Sequence, residues 1–178
     1  MKIIFRVGKG VEARIYRDRD DQGCTWSHVG ILFDDMVFHA HSGRIVNQNK
    51  RLPWFMKSES RYIDGGVINT KLEDFIAISE CEYFSIFDVM DLSEENALEI
   101  KKWCREKVNN KTNFDTLYNL KDDSSFYCTE FVYKAFKSAG VMLCDEPFSV
   151  RSIPYIGEIE VILPGNIAKS RRLMLCAN

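Results

Sequence analysis

No two of the six cysteines form a CxxC pair, and no apolar run approaches the ~20 residues that cross a bilayer. The opening stretch, Met1-Lys2-Ile3-Ile4-Phe5-Arg6-Val7, is too short an apolar run for a signal peptide. A cytoplasmic protein with reduced thiols is therefore expected, rather than a disulfide framework. Lysine and arginine form no long run and the net charge is -2, so there is no electrostatic case for a nucleic-acid partner. The small cluster Lys169, Arg171 and Arg172 is expected to be a solvated end. There is no HExxH and no spacing typical of zinc, so neither a metal nor a cofactor is expected. Prolines number only four and are scattered; no repeat, linker or low-complexity tract interrupts the chain. The 178 residues are expected to fold as a single domain, residues 1–178.

What is present is a strand-rich first half and a helical second half. Strands are expected at 2–7, 28–33, 36–41, 44–47, 66–69, 74–79 and 83–88, where β-branched and aromatic residues concentrate. Ser93-Glu94-Glu95 then starts a helix to about Asn109, with Ala97, Ile100, Cys104 and Val108 on one stripe. A second helix spans 126–139, with Ser124 or Ser125 as its N-cap and Gly140 at its end. A closing strand is expected at 158–163. Strands first and helices later give an α+β fold.

The second helix carries Cys128 in its first turn, with Phe131, Val132, Ala135, Phe136 and Ala139 at helical spacing behind it. Unpaired first-turn N–H groups and the positive end of the helix dipole favour a thiolate there, and the thiolate is the nucleophilic form. All three histidines of the chain lie upstream in one hairpin. Asp34-Asp35 reads as a two-residue turn that pairs Phe33 with Met36, Gly30 with His39 and His28 with His41. One face then carries Val29, Ile31, Phe33, Met36, Phe38 and Ala40, and the other His28, Gly30, Leu32, Val37, His39 and His41. Three imidazoles on one surface suit either a base for Cys128 or a metal site, and the missing zinc spacing disfavours the metal.

The pieces Ile4-Phe5-Arg6-Val7-Gly8-Lys9-Gly10, Ser27-His28-Val29-Gly30-Ile31, Val37-Phe38-His39-Ala40, Asn113-Phe114-Asp115, Phe126-Tyr127-Cys128-Thr129-Glu130-Phe131-Val132 and Leu163-Pro164-Gly165-Asn166 occur in this order. So ordered, the chain resembles the circularly permuted NlpC-like cysteine hydrolases of papain-like fold, in particular the YiiX-like branch. The resemblance implies an antiparallel sheet or partial barrel packed against helices, with the nucleophile at a helix N-terminus. It further implies Cys128 as nucleophile, His28 as general base and His39 as the third, orienting member. His41 is the competing choice for that place. Many relatives carry an acidic residue there; the related lecithin retinol acyltransferase-like proteins carry histidine, as this chain does.

By the same reasoning the Cys128 N–H, with Tyr127 lining the pocket, is expected to receive an oxyanion. Glu130 is expected to hold a loop or cap, and Asp115 is a motif member by resemblance. Trp26, Trp54 and Phe55 are candidates to line a groove, and residues 42–66 are long enough to form a lid. The expected activity is a cysteine hydrolase or acyltransferase that opens an amide, ester or thioester through an acyl-enzyme. Its substrate would be a small peptide or a lipid-like acyl group. The alternative is an inactive papain-like module that binds a ligand or partner. Nothing in the sequence fixes an oligomeric state.

Overall fold

The computed structural model describes residues 1–8, 25–47, 60–63, 65–77, 81–145, 149–153 and 157–176. Strands β1 (Lys2–Gly8), β2 (His28–Phe33), β3 (Met36–His41), β6 (Gly66–Lys71), β7 (Cys81–Val89) and β12 (Leu173–Leu175) form one antiparallel sheet in the order β12-β7-β1-β2-β3-β6. Two short antiparallel pairs stand apart, β4 (Arg44–Asn47) with β5 (Ser60–Ile63) and β10 (Ser149–Ile153) with β11 (Gly157–Val161). A parallel pair, β8 (Asn113–Phe114) and β9 (Ser125–Phe126), leads into the helix that carries Cys128.

The alternation along β2 and β3 divides the sheet's two faces as the sequence pattern implies. On one side Ile3, Phe5, Val29, Ile31, Phe33, Phe38 and Ala40 pack with α2 (Glu94–Asn109) and α3 (Cys128–Ser138) in the main core. On the other side Ile4, Leu32 and Val37 meet α1 (Leu72–Phe75) through Phe75. A strand was expected near 74–79; α1 occupies its beginning instead. Leu72, Phe75 and Ile76 stand at i, i+3 and i+4, the spacing of a helical stripe, and all three join this second cluster. Glu73 and Asp74 lie in the first turn, and the Leu72 N–H donates to the carbonyl of hairpin residue Asp35 at 2.7 Å.

Helix α2 starts as expected, with Ser93 accepting from the Asn96 N–H at 3.1 Å. Helix α3 does not: its N-cap is Tyr127, while Ser125 belongs to β9 and Ser124 pairs with Asp122. The parallel β8–β9 pairing extends the chain through Phe126, which delays the helix by two residues. The short helix α4 (Pro164–Ala168) opens on proline at its first position, where no N–H is needed. No helix among the described residues is long and apolar enough to cross a membrane.

Candidate active site

The β1–β2 ladder runs down to Arg6↔His28 and the β3–β6 ladder to His41↔Gly66. Between β2 and β3 the ladder keeps the expected register, Phe33↔Met36 and Leu32↔Val37, but ends at Ile31↔Phe38. The expected pairs Gly30–His39 and His28–His41 therefore do not form. Below Ile31 the β2–β3 pairing stops, although Gly30 stays in close contact with Phe38 and His39. The backbone N–H groups of Thr129, Val29 and Cys128 act to lower the Cys128 pKa, against the larger penalty of burial. The Val29 amide belongs to the peptide that joins it to His28, so the start of α3 lies near the main chain of the residue expected to serve the thiol.

On the opposite face His28 Nε2 lies 2.9 Å from His39 Nδ1, and His39 Nε2 lies 3.3 Å from Thr70 Oγ1. The first contact is a well-formed hydrogen bond and the second a long one. His28 is half-buried and His39 buried. Phe75 is a platform for both rings, stacked on His28 at 5.5 Å and edge-on to His39 at 5.0 Å. Arg6, directly opposite His28 in the ladder, lays its guanidinium over the same ring at 4.5 Å and donates to the Phe75 carbonyl at 2.5 Å. His41 stacks beyond His39, and its Nδ1 accepts the Gly43 N–H at 2.7 Å. The structure thus brings His28 and His39 together and commits one nitrogen of His41 to the turn that follows β3.

The first turn of α3 is pinned on both sides. Tyr127 Oη accepts the Ile162 N–H at 2.9 Å, and the Thr129 hydroxyl donates to the Ile162 carbonyl. Glu130, fully buried, accepts the Tyr127 N–H at 3.3 Å and pairs with Lys134 at 2.9 Å, the capping part expected of it. Asp115 accepts from the N–H groups of Leu117, Tyr118 and Asn119, at 2.8, 3.0 and 2.6 Å. The turn so built sets the Tyr118 ring 4.9 Å from that of Tyr127.

Electrostatics bear on one expectation. Cys128 is 2 % exposed, and burial pushes its thiol up to about 11. The N–H groups of Thr129, Val29 and Cys128 and the charge of Arg6 pull the other way. Burial thus opposes the thiolate that the helix dipole favours. Burial also raises Tyr127 well above the usual phenol range, and lifts Glu130 to about 7 against the pull of Lys134.

Arg6, Gly30, Thr70 and Phe75 join the site without having been singled out. A charge inside the run Ile3-Ile4-Phe5-Arg6-Val7 was a legible signal; Thr70 offered none. Trp26 packs against Phe5 at 5.7 Å and Tyr83 at 5.4 Å. Trp54, Phe55 and most of 42–66 lie outside the described residues. Cys104, Cys128 and Cys176 are free thiols.

A helix-borne cysteine that follows its histidine strands in the chain is papain-like architecture in permuted order, the layout of a cysteine hydrolase. Residues 10–176 match the permuted papain-like amidase enzymes, YaeF/YiiX, C92 family, and the chain belongs to that family. It is similar to the crystal structure of metalloprotein YiiX from Escherichia coli O157:H7, with 18% identity and a TM-score of 0.69 over 99% of this chain and 95% of that one. At that identity the likeness establishes the fold. No curated protein matches the chain.

Proposed function

We propose that this cysteine hydrolase cleaves the amide bond of a small peptide with Cys128 as nucleophile, His28 as general base and His39 as its orienting partner. Lipid-like acyl esters or thioesters are the alternative substrate class. The observation that carries this reading is the His28–His39 bond of 2.9 Å, in a chain whose Cys128 opens a helix.

In this reading His28 works through Nδ1, since its Nε2 is turned to His39. It takes the Sγ proton as sulfur attacks the carbonyl carbon, and gives that proton to the nitrogen as the C–N bond breaks. Water then attacks the thioester, His28 accepts its proton, and Cys128 recovers it. The Cys128 N–H, at the first helical position, supplies an oxyanion donor beside Tyr127. Because burial disfavours a resting thiolate, the proposal has proton removal accompany attack.

The YiiX structure is described as that of a metalloprotein. The residues here do not fit an ion between the histidines. Two imidazole nitrogens sharing a tetrahedral zinc at ~2.1 Å stand roughly 3.4 Å apart, whereas these lie at 2.9 Å in a hydrogen bond. Among the described residues no group of three or more His, Cys, Asp or Glu is placed to hold a metal.

A p-nitrophenyl ester tests the chemistry. Wild type is expected to release a burst of nitrophenolate and to carry the acyl group on Cys128, located by mass spectrometry. His28→Ala should slow the burst by about 10²–10⁴-fold. The raised thiol also suits a module that only binds; acylation spread evenly over the cysteines, indifferent to His28→Ala, would favour that module.

A further inference from the structure

We infer that Thr70 is a positioning residue that fixes the tautomers of both site histidines, and so decides whether His28 Nδ1 holds a lone pair or a proton. The inference rests on the proposed Cys128–His28 chemistry and extends it by one residue.

The line His28–His39–Thr70 has two self-consistent proton arrangements. In the first, the Thr70 oxygen accepts from His39 Nε2–H, so His39 Nδ1 is bare and accepts from His28 Nε2–H. His28 Nδ1 then holds a lone pair and acts as a base. In the second, the Thr70 hydroxyl donates to His39 Nε2, and His39 Nδ1–H donates to His28 Nε2. His28 then carries its proton on Nδ1 and takes none from sulfur. The two arrangements differ in a single choice, whether the Thr70 oxygen accepts or donates.

The first arrangement is favoured twice. It gives both rings the Nε2–H form, which free imidazole side chains prefer. It also suits the charged intermediate: an imidazolium at His28 donates from Nε2, which requires His39 Nδ1 to be bare. The placement of Thr70 is a property of the sheet. His39 pairs with Ile68 across the β3–β6 ladder, and Thr70 follows two residues on, on the same face and half-buried. The competing account is that threonine merely suits an edge strand. Valine suits it equally well, so the two accounts part at Thr70→Val.

The chain has three histidines, so ¹⁵N-labelled imidazoles give an assignable spectrum, and nitrogen shifts report tautomers without any substrate. Wild type should show His28 and His39 as Nε2–H. Thr70→Val should mix the tautomers, slow the ester burst about fivefold, the worth of one neutral hydrogen bond, and change its pH profile. Thr70→Ser should restore both. Should valine unfold the protein, Thr70→Ala takes its place. Wild-type histidines protonated at Nδ1, or a Thr70→Val protein with unaltered shifts and burst, would overturn the assignment of Thr70 alone. A burst indifferent to His28→Ala would remove the base itself, and with it any catalytic part for Thr70, whatever the tautomers.

Discussion

Gly30 lies between His28 and Leu32 on the histidine face, at the end of the β2–β3 pairing. A β-carbon there would meet Val37 Cγ1 at 2.6 Å, the Phe38 carbonyl oxygen at 3.1 Å and His39 Cβ at 3.3 Å. The first distance is below any real contact. Val37 is fully buried and β-branched, so its methyl has few other rotamers to adopt. The second obstacle is backbone, which yields only if β3 moves. Gly30→Ala is therefore an overpacking substitution, expected to cost about 1–3 kcal/mol. Its functional effect follows from direction. Moving β3 outward carries His39 from His28, and the 2.9 Å bond tolerates only a few tenths of an ångström before it fails. Urea unfolding should show a lower midpoint at unchanged slope, and the ester burst should fall by about fivefold or more, the loss of one hydrogen bond. A Gly30→Ala protein of wild-type stability and wild-type burst would refute the claim that glycine sets this spacing.

Other perturbations read other parts of the site. Arg6→Met removes a charge that lowers the Cys128 pKa, so the pH at which iodoacetamide labels Cys128 should move upward; an unmoved profile would mean that the guanidinium serves Phe75 alone. Glu130 is lifted by burial from 4.5 to about 7, so the native state holds this proton more tightly than the unfolded chain. Its contribution to stability is complete below about 4.5 and is lost as pH rises through about 7; Glu130→Gln should flatten that part of the melting-temperature profile, and identical profiles would refute it. His41→Asn keeps an acceptor for the Gly43 N–H and should leave the burst within about twofold, while His39→Ala should cost tenfold or more; reversed effects would make His41 the third member.

Much of the site was legible because strand alternation is a strong signal. The turn at Asp34-Asp35 and the apolar set on the Val29 side fix which residues share a face, and the histidines follow from that parity. The end of the β2–β3 ladder was not legible, because register says nothing about where the pairing of two strands stops. Nor was the upward pull of burial on Cys128, since the dipole argument counts the helix and omits the desolvation imposed by everything packed around it. Phe75 was misplaced in a strand because a helix of four residues gives too short a period to outweigh β-branched neighbours. Thr70 lies outside any motif; only the β3–β6 register brings it to His39.

The proposed site draws on both faces of the sheet. Helix α3 packs with the Val29 face, while His28, His39 and Arg6 share the other with Phe75. The β2–β3 pairing ends at Ile31↔Phe38, and burial of Cys128 in the main core accounts for its raised thiol. On the proposed chemistry a base must offset that penalty, so the alignment of His28 by His39 and Phe75 should matter more to the rate than the helix dipole does. The His39→Ala burst is the measure of it.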